Sequence, residues 1–210
     1  GAGPVPGSPR VALISLGCPK NLVDSEVLLA RLAGDGIPIV PRPEDASVVI
    51  VNTCAFVQEA REEAIETLLD MVRLKEEGRL QGIVAVGCLP QRYRDRLVES
   101  LPEVDAFLPL TDYSGLPQVV RRVAAGKGAG PSLGGRTRSG RTDRVRLLLT
   151  PPSHAYLRIA EGCDHACAFC AIPSIRGPLR SKPLGLLLEE ARGLLAMGVR
   201  ELVLVAEDTT

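Results

Sequence analysis

The 210-residue chain carries 25 Lys and Arg against 25 Asp and Glu, so its formal net charge is zero and bulk charge points to no particular partner. Hydrophobic residues at 45% and charged residues at 24% are globular proportions, which exclude a disordered or fibrous chain. No apolar run reaches membrane-spanning length and no charged-then-apolar leader opens the sequence, so the expectation is a cytoplasmic protein with no membrane partner. In that compartment six cysteines are ligands or catalysts sooner than disulfides.

Residues 1–9 are expected as a disordered tail. Val11 to Leu16 is a short apolar run stopped by Gly17, and reads as a buried strand. Asp24, Ser25 and Glu26 then open a helix whose apolar positions are Val27, Leu28, Leu29 and Leu32, with Gly34 past its end. Ile37 to Val40 is a short strand and Ser47 to Val51 a strong one. Val57 to Glu77 is a long amphipathic helix with Gly78 as its stop. A strand over Ile83 to Val86, a helix from Pro90 to Ser100, a strand over Val104 to Leu108 and a helix capped by Ser114 and ended by Gly126 complete this half. Strands alternating with helices predict an α/β fold: an open, mostly parallel sheet covered on both faces.

All strands of such a sheet point their carboxyl ends the same way, and ligands bind along that edge. Cys18, Cys54 and Cys88 each follow a predicted strand by one to three residues. Three thiols far apart in sequence therefore meet at one edge. Idle buried thiols are the plain alternative, since Cys packs like a small hydrophobe. Three at equivalent positions argue for a metal centre, because clustered thiolates need a cation. Neither His nor a further Cys lies in this half to close a tetrahedral zinc site. Three ligands suit an iron–sulfur cube with one open iron, and Gly17 and Gly87 let backbone approach it.

Six glycines between Gly126 and Gly140 give a linker composition, expected over 126–150. Eight basic residues from Arg121 to Arg146 face the single acid Asp143, which is either a solvated tether or a contact for RNA or an acidic protein face. The units are thus 10–125, the linker, and 151–210. Ala155 to Ile159 is a strand, Leu184 to Met197 an amphipathic helix and Val199 to Ala206 a strand, which makes one β–α–β unit. Between them, Cys163, Cys167 and Cys170 are spaced by three residues and then two. That is too tight for a disulfide framework. It suits three corners of a second cube with an open iron. A zinc site with His165 as fourth ligand is the alternative. Ligands of parallel α/β sheets bind at the carboxyl ends of strands, which puts the cysteine loop and the pair Glu207 and Asp208 at one edge.

The three-cysteine loop, with Phe169 just before its last cysteine, resembles the cluster-binding signature of the radical S-adenosylmethionine (SAM) enzymes. The stretches Ser15 to Glu26, Asn52 to Phe56 and Val86 to Tyr93 resemble the N-terminal domain of the radical-SAM methylthiotransferases. Pro19, Lys20 and Asn21, with Ile172 to Gly177, are similar to the branch that modifies an aspartate of ribosomal protein uS12. The resemblance covers nearly all of residues 10–210. It implies two 4Fe-4S clusters, one on Cys18, Cys54 and Cys88 and a SAM-cleaving one on Cys163, Cys167 and Cys170. It implies SAM contacts by Phe169, Glu207 and Asp208, and a partial barrel of which residues 151–210 are the start. It further implies a methylthiotransferase acting at the β-carbon of an aspartate, with uS12 or the small ribosomal subunit as partner and a flavodoxin or ferredoxin as electron donor. The branch usually carries Gln where this chain has Glu207. A chain that opens on Gly1 and stops at Thr210 after a strand is expected to be a fragment not competent alone. The same chemistry on tRNA, a non-catalytic metal-binding module and an electron carrier are the competing expectations. The open three-ligand sites argue against the last, because carriers close all four positions.

Overall fold

Val48–Thr53 and Gly82–Gly87 are buried at every position, as strands covered on both faces must be. They are β2 and β3 of the computed structural model, which describes residues 7–93, 95–110, 113–127, 130–131 and 143–209. β1 (Val11–Ser15) pairs with β2, β2 with β3, β3 with β4 (Ala106–Pro109), and β4 with the two-residue β5 (Gly130–Pro131), all in parallel. The apolar runs predicted as strands are these strands. The short strand expected over residues 37–40 is a single parallel bridge from Ile39 to the other side of β1, at Val11. The chain therefore leaves β1 to one side and returns on the other, so the sheet reverses its winding at β1 and β2.

Helix α1 (Pro19–Gly34) follows β1, α2 (Gln58–Glu76) follows β2, α3 (Cys88–Tyr93) and α4 (Asp95–Ser100) follow β3, and α5 (Leu116–Ala124) follows β4. Three expectations need correction. α1 begins at Pro19, not Asp24; proline at the first helical turn gives up an N–H that has no partner there anyway. The predicted helix from residue 90 to 100 comprises two short helices and starts at Cys88. Gly115, not Ser114, is the N-cap of α5, with no side-chain cap. One core gathers these elements around Val49, Ile50, Val84, Leu28, Leu68 and Val120. Burial of such side chains contributes roughly 1.5–3 kcal/mol each before the cost of ordering them.

The second unit is smaller. β6 (His154–Arg158) and β9 (Glu201–Val205) run parallel in the register His154 to Glu201 and Arg158 to Val205, with α7 (Leu184–Ala196) between them in sequence. β7 (Ala160–Glu161) and β8 (Arg180–Ser181) pair antiparallel and bracket the cysteine loop and α6 (Ile172–Ile175). Ala155, Leu157, Leu194 and Val199 form its own core. Ile175 of α6 is buried instead in the core of the first unit. Of the expected linker, 128–129 and 132–142 lie outside the described residues. Asp143 and Arg146 are buried, and Leu147 donates its backbone N–H to the Glu26 carbonyl of α1. The expected tail lies outside them too, up to residue 6.

Candidate metal and cofactor site

The winding reverses at β1 and β2, and the carboxyl ends of strands at such a point are where doubly wound sheets bind ligands. Cys18 is the N-cap of α1 at the β1 tip, Cys54 follows the β2 tip and Cys88 opens α3 at the β3 tip. The backbone is drawn tight here by two glycines with left-handed φ, 86° at Gly17 and 100° at Gly87. A Cβ on Gly17 would lie 2.6 Å from Cys54 Cβ and 2.9 Å from Cys54 Sγ, so the β1 and β2 tips touch through that missing side chain. A Cβ on Gly87 would run into Asn52 and the Thr53 backbone, so the β3 tip does the same.

Buried polar side chains then pin the three tips together. Asn21 Nδ2 donates to the Leu16 carbonyl at 3.0 Å and to the Thr53 carbonyl at 2.9 Å. Asn52 Nδ2 donates to the Asn21 carbonyl and to Ser25 Oγ, both at 2.8 Å. Thr53 Oγ1 donates to the Val86 carbonyl at 2.7 Å and accepts from the Leu89 N–H at 3.2 Å. Arg92 Nη1 donates to the Ala55 carbonyl just past Cys54 at 2.6 Å. None of these residues was a candidate from sequence, although Asn21, Asn52 and Thr53 all lie within motifs that carried the resemblance. Cys54 and Cys88 are buried and Cys18 half-buried. Burial pushes the Cys88 thiol up to about 11, against the opposing pull of the Arg176 guanidinium beside it.

The second set lies at the ends of β6 and β9. The loop from Cys163 to Cys170 is shaped by backbone. Cys163 N–H donates to the Gly177 carbonyl and Cys170 N–H to the Cys167 carbonyl, both at 3.1 Å, and Leu179 N–H donates to Asp164 Oδ1 at 2.9 Å. Cys163 and Cys170 are half-buried and Cys167 is exposed. Phe169 is 91% exposed. Glu207 and Asp208 follow the β9 tip and reach the same loop. Glu207 Oε2 accepts from the Gly162 N–H at 3.0 Å, and Asp208 Oδ2 lies 3.0 Å from His165 Nε2. Cys163, His165 and Asp208 bring a sulfur, a ring nitrogen and a carboxylate oxygen within 4.8 Å of one another.

The two sets are joined by ion pairs across the units. Glu207 Oε1 lies 3.3 Å from Lys20 Nζ, two residues past Cys18, and 3.8 Å from Arg176 Nε. Arg176 Nη2 donates to Asn21 Oδ1 at 2.7 Å and to Cys88 Sγ at 3.7 Å. Beneath them Arg158 reaches Asp24 at 2.7 Å and Asp143 at 2.6 Å. Burial works against the Arg158 and Arg176 charges, but their carboxylate neighbours outweigh it and hold both guanidiniums charged.

A three-thiol set backed by a guanidinium fits an iron–sulfur group. Cys18, Cys54 and Cys88 would supply the ligands, the Arg176 guanidinium would offset part of their charge, and Gly17 has no side chain to intrude on Cys54.

Residues 10–109 match the family described as Uncharacterized protein family UPF0004. The chain is 44% identical, over 96% of its length, to the ribosomal protein uS12 methylthiotransferase RimO of Geobacter sulfurreducens, covering 45% of that protein. It is 45% identical to the RimO of Geotalea uraniireducens over 96% of this chain and 45% of the relative, and 46% identical to that of Syntrophomonas wolfei over 96% and 46%. The chain thus spans a little under half the length of these relatives. Similarity to RimO-type methylthiotransferases thus runs along nearly the whole chain, and the UPF0004 match lies within it, over residues 10–109.

Proposed function

We propose that this chain is the cluster-bearing part of a radical-SAM methylthiotransferase that inserts a methylthio group at the β-carbon of an aspartate in ribosomal protein uS12, working in the cytoplasm with a flavodoxin- or ferredoxin-type electron donor. The observation that carries this reading is Arg176. It comes from the unit of Cys163, Cys167 and Cys170, yet its guanidinium lies 3.7 Å from the sulfur of Cys88 in the other set. Two separate metal sites would have no need of that proximity, whereas a reaction that joins a radical to a sulfur donor does. The names of the relatives, uS12 methylthiotransferases, support uS12 as the substrate.

A 4Fe-4S cluster on Cys163, Cys167 and Cys170 would supply the electron that cleaves SAM, and one on Cys18, Cys54 and Cys88 the sulfur-presenting iron. The chain's own residues do the positioning. The bond from the Gly162 N–H to Glu207 and that from the Leu179 N–H to Asp164 hold the loop in shape. Asp208, beside Cys163, is the carboxylate we assign to the amino group of SAM. Glu207 is engaged with Gly162 and Lys20, and supports that edge from beneath. Phe169, exposed next to Cys170, is free to cover the adenosyl group.

Anaerobic incubation of the reconstituted full-length enzyme with SAM and dithionite tests the radical half: 5′-deoxyadenosine should form and should disappear in Cys163→Ala. Mass spectrometry of added uS12 tests the rest, with one methylthio group replacing one hydrogen at an aspartate; the same modification on tRNA adenosine would move the substrate to nucleic acid. A second reading, a non-catalytic metal module, is favoured by the trio Cys163, His165 and Asp208. It predicts one zinc per chain, lost in His165→Ala, and no SAM cleavage.

A further inference from the structure

Arg176 is 2% exposed, and every edge of its guanidinium is engaged. Nη1 donates to Glu161 Oε1 at 2.9 Å and to Asp24 Oδ2 at 3.1 Å. Nη2 donates to Asn21 Oδ1 at 2.7 Å and to Cys88 Sγ at 3.7 Å, and Nε faces Glu207 Oε1 at 3.8 Å. Two of these partners, Asn21 and Asp24, belong to α1, and Cys88 opens α3; the others belong to the loop-cysteine unit. Ile175, the residue before it, is buried in the first unit's core, and α6 packs against α3. The helix end carrying Arg176 is therefore seated in the other unit by apolar contact as well as by charge.

Only a planar fork with five donors satisfies this set at once; an ammonium is a point charge with three. The three surrounding carboxylates hold the guanidinium charged in a buried place. Asn21 Oδ1 accepts from Arg176 while Asn21 Nδ2 donates to the β1 and β2 tips, so the arginine also stiffens the amide that pins the cysteine edge. Hydrogen bonds and positive charge at a ligating sulfur favour the reduced, more negative state of the group it holds.

We infer that Arg176 is a positioning residue acting between the units: carried by the loop-cysteine unit, it donates to the Cys88 sulfur and raises the reduction potential of the iron–sulfur group that the strand-tip cysteines hold. This rests on the two-cluster reading.

The test is redox titration, followed by electron paramagnetic resonance, of the reconstituted chain in two backgrounds. In the first, Cys163, Cys167 and Cys170 are all Ala, so that iron reports on the strand-tip set alone. Adding Arg176→Gln there should leave iron per chain unchanged and move the midpoint to lower potential, with Arg176→Lys intermediate. In the second background Cys18, Cys54 and Cys88 are all Ala, and the midpoint of the loop group should move less than that of the strand-tip group. Should Arg176→Gln fail to fold, Arg176→Lys should give a smaller shift in the same direction, because the charge stays and the fork is lost. An unmoved midpoint for the strand-tip group with iron retained overturns the inference and leaves the two-cluster reading standing. A first background that takes up no iron before any change at Arg176 overturns the two-cluster reading, and the inference falls with it.

Discussion

Arg158, at the end of β6, donates to Asp24 of α1 at 2.7 Å, and both side chains are all but fully buried. The pair spans 134 residues of sequence and joins the two units. It belongs to a row of buried charges that runs from Arg176 through Asp24, Arg158 and Asp143 to Lys182 and Glu190. Taking charges out of water is costly, so each survives on its neighbours. The same row ties the unit of the strand-tip cysteines to that of the loop cysteines.

Truncating Asp24 leaves two buried guanidiniums short of their shared carboxylate. Asp24→Ala is expected to lower unfolding stability by about 3–5 kcal/mol. Urea unfolding measures it, and a double-mutant cycle with Arg158→Met should show strong coupling, since the second change removes the charge the first one strands.

Gly17 is the tightest point between the β1 tip and Cys54. Gly17→Ala combines a left-handed φ with a Cβ that would sit 2.6 Å from Cys54 Cβ. The expected cost is about 1–3 kcal/mol, together with loss of iron from the strand-tip set while the loop set keeps its own. Iron analysis of the reconstituted variant checks it.

Acid should loosen the joint between the units. Burial alone would raise the Asp143 carboxyl, but Arg158 and Lys182 outweigh it and hold the group below its ordinary value of 3.8. A carboxyl depressed in the folded state contributes stability that is complete above the unfolded value and lost as pH falls through the folded one. Glu26 works the other way. Burial raises it above 4.5, so its contribution is present in acid and fades as pH rises through the raised value. Asp143→Asn should therefore flatten the fall of stability below about pH 4, seen as the difference between the two proteins' urea midpoints across pH.

Glu207 does two jobs that substitutions can separate. Glu207→Gln keeps an oxygen for the Gly162 N–H and loses the charge facing Lys20, so the loop set should keep its iron and become less sensitive to salt. Glu207→Ala removes both and should lower the iron held by Cys163, Cys167 and Cys170. Iron content at low and high salt distinguishes the two variants.

Much of this was legible in the sequence where one residue type dominates a segment. β2 and β3 are apolar on both faces and read directly as buried strands. The six cysteines stood out by spacing and by their place after strands. The start of α1 did not. Asp24, Ser25 and Glu26 read as a polar helix opening, yet they and Asn21 before them are all buried within the helix. Their partners include Thr53, Asn52, Arg158, Arg176 and Leu149, residues far along the chain. Periodicity registers only local neighbours, so a helix face that buries polar groups against another unit looks like a surface or a cap. Arg146 was hidden for the same reason. It sits in an Arg-rich stretch that reads as a solvated tether or a contact for RNA or an acidic protein face, and it is buried against Glu26 at 3.4 Å.

On the proposed reading, two separate cysteine sets each hold an iron–sulfur group. Iron and acid-labile sulfide should be counted per chain after anaerobic reconstitution, for the wild type and for the Cys18/Cys54/Cys88→Ala triple variant. The account predicts two four-iron clusters falling to one. A single cluster that survives the triple change, or zinc in place of iron, would contradict it.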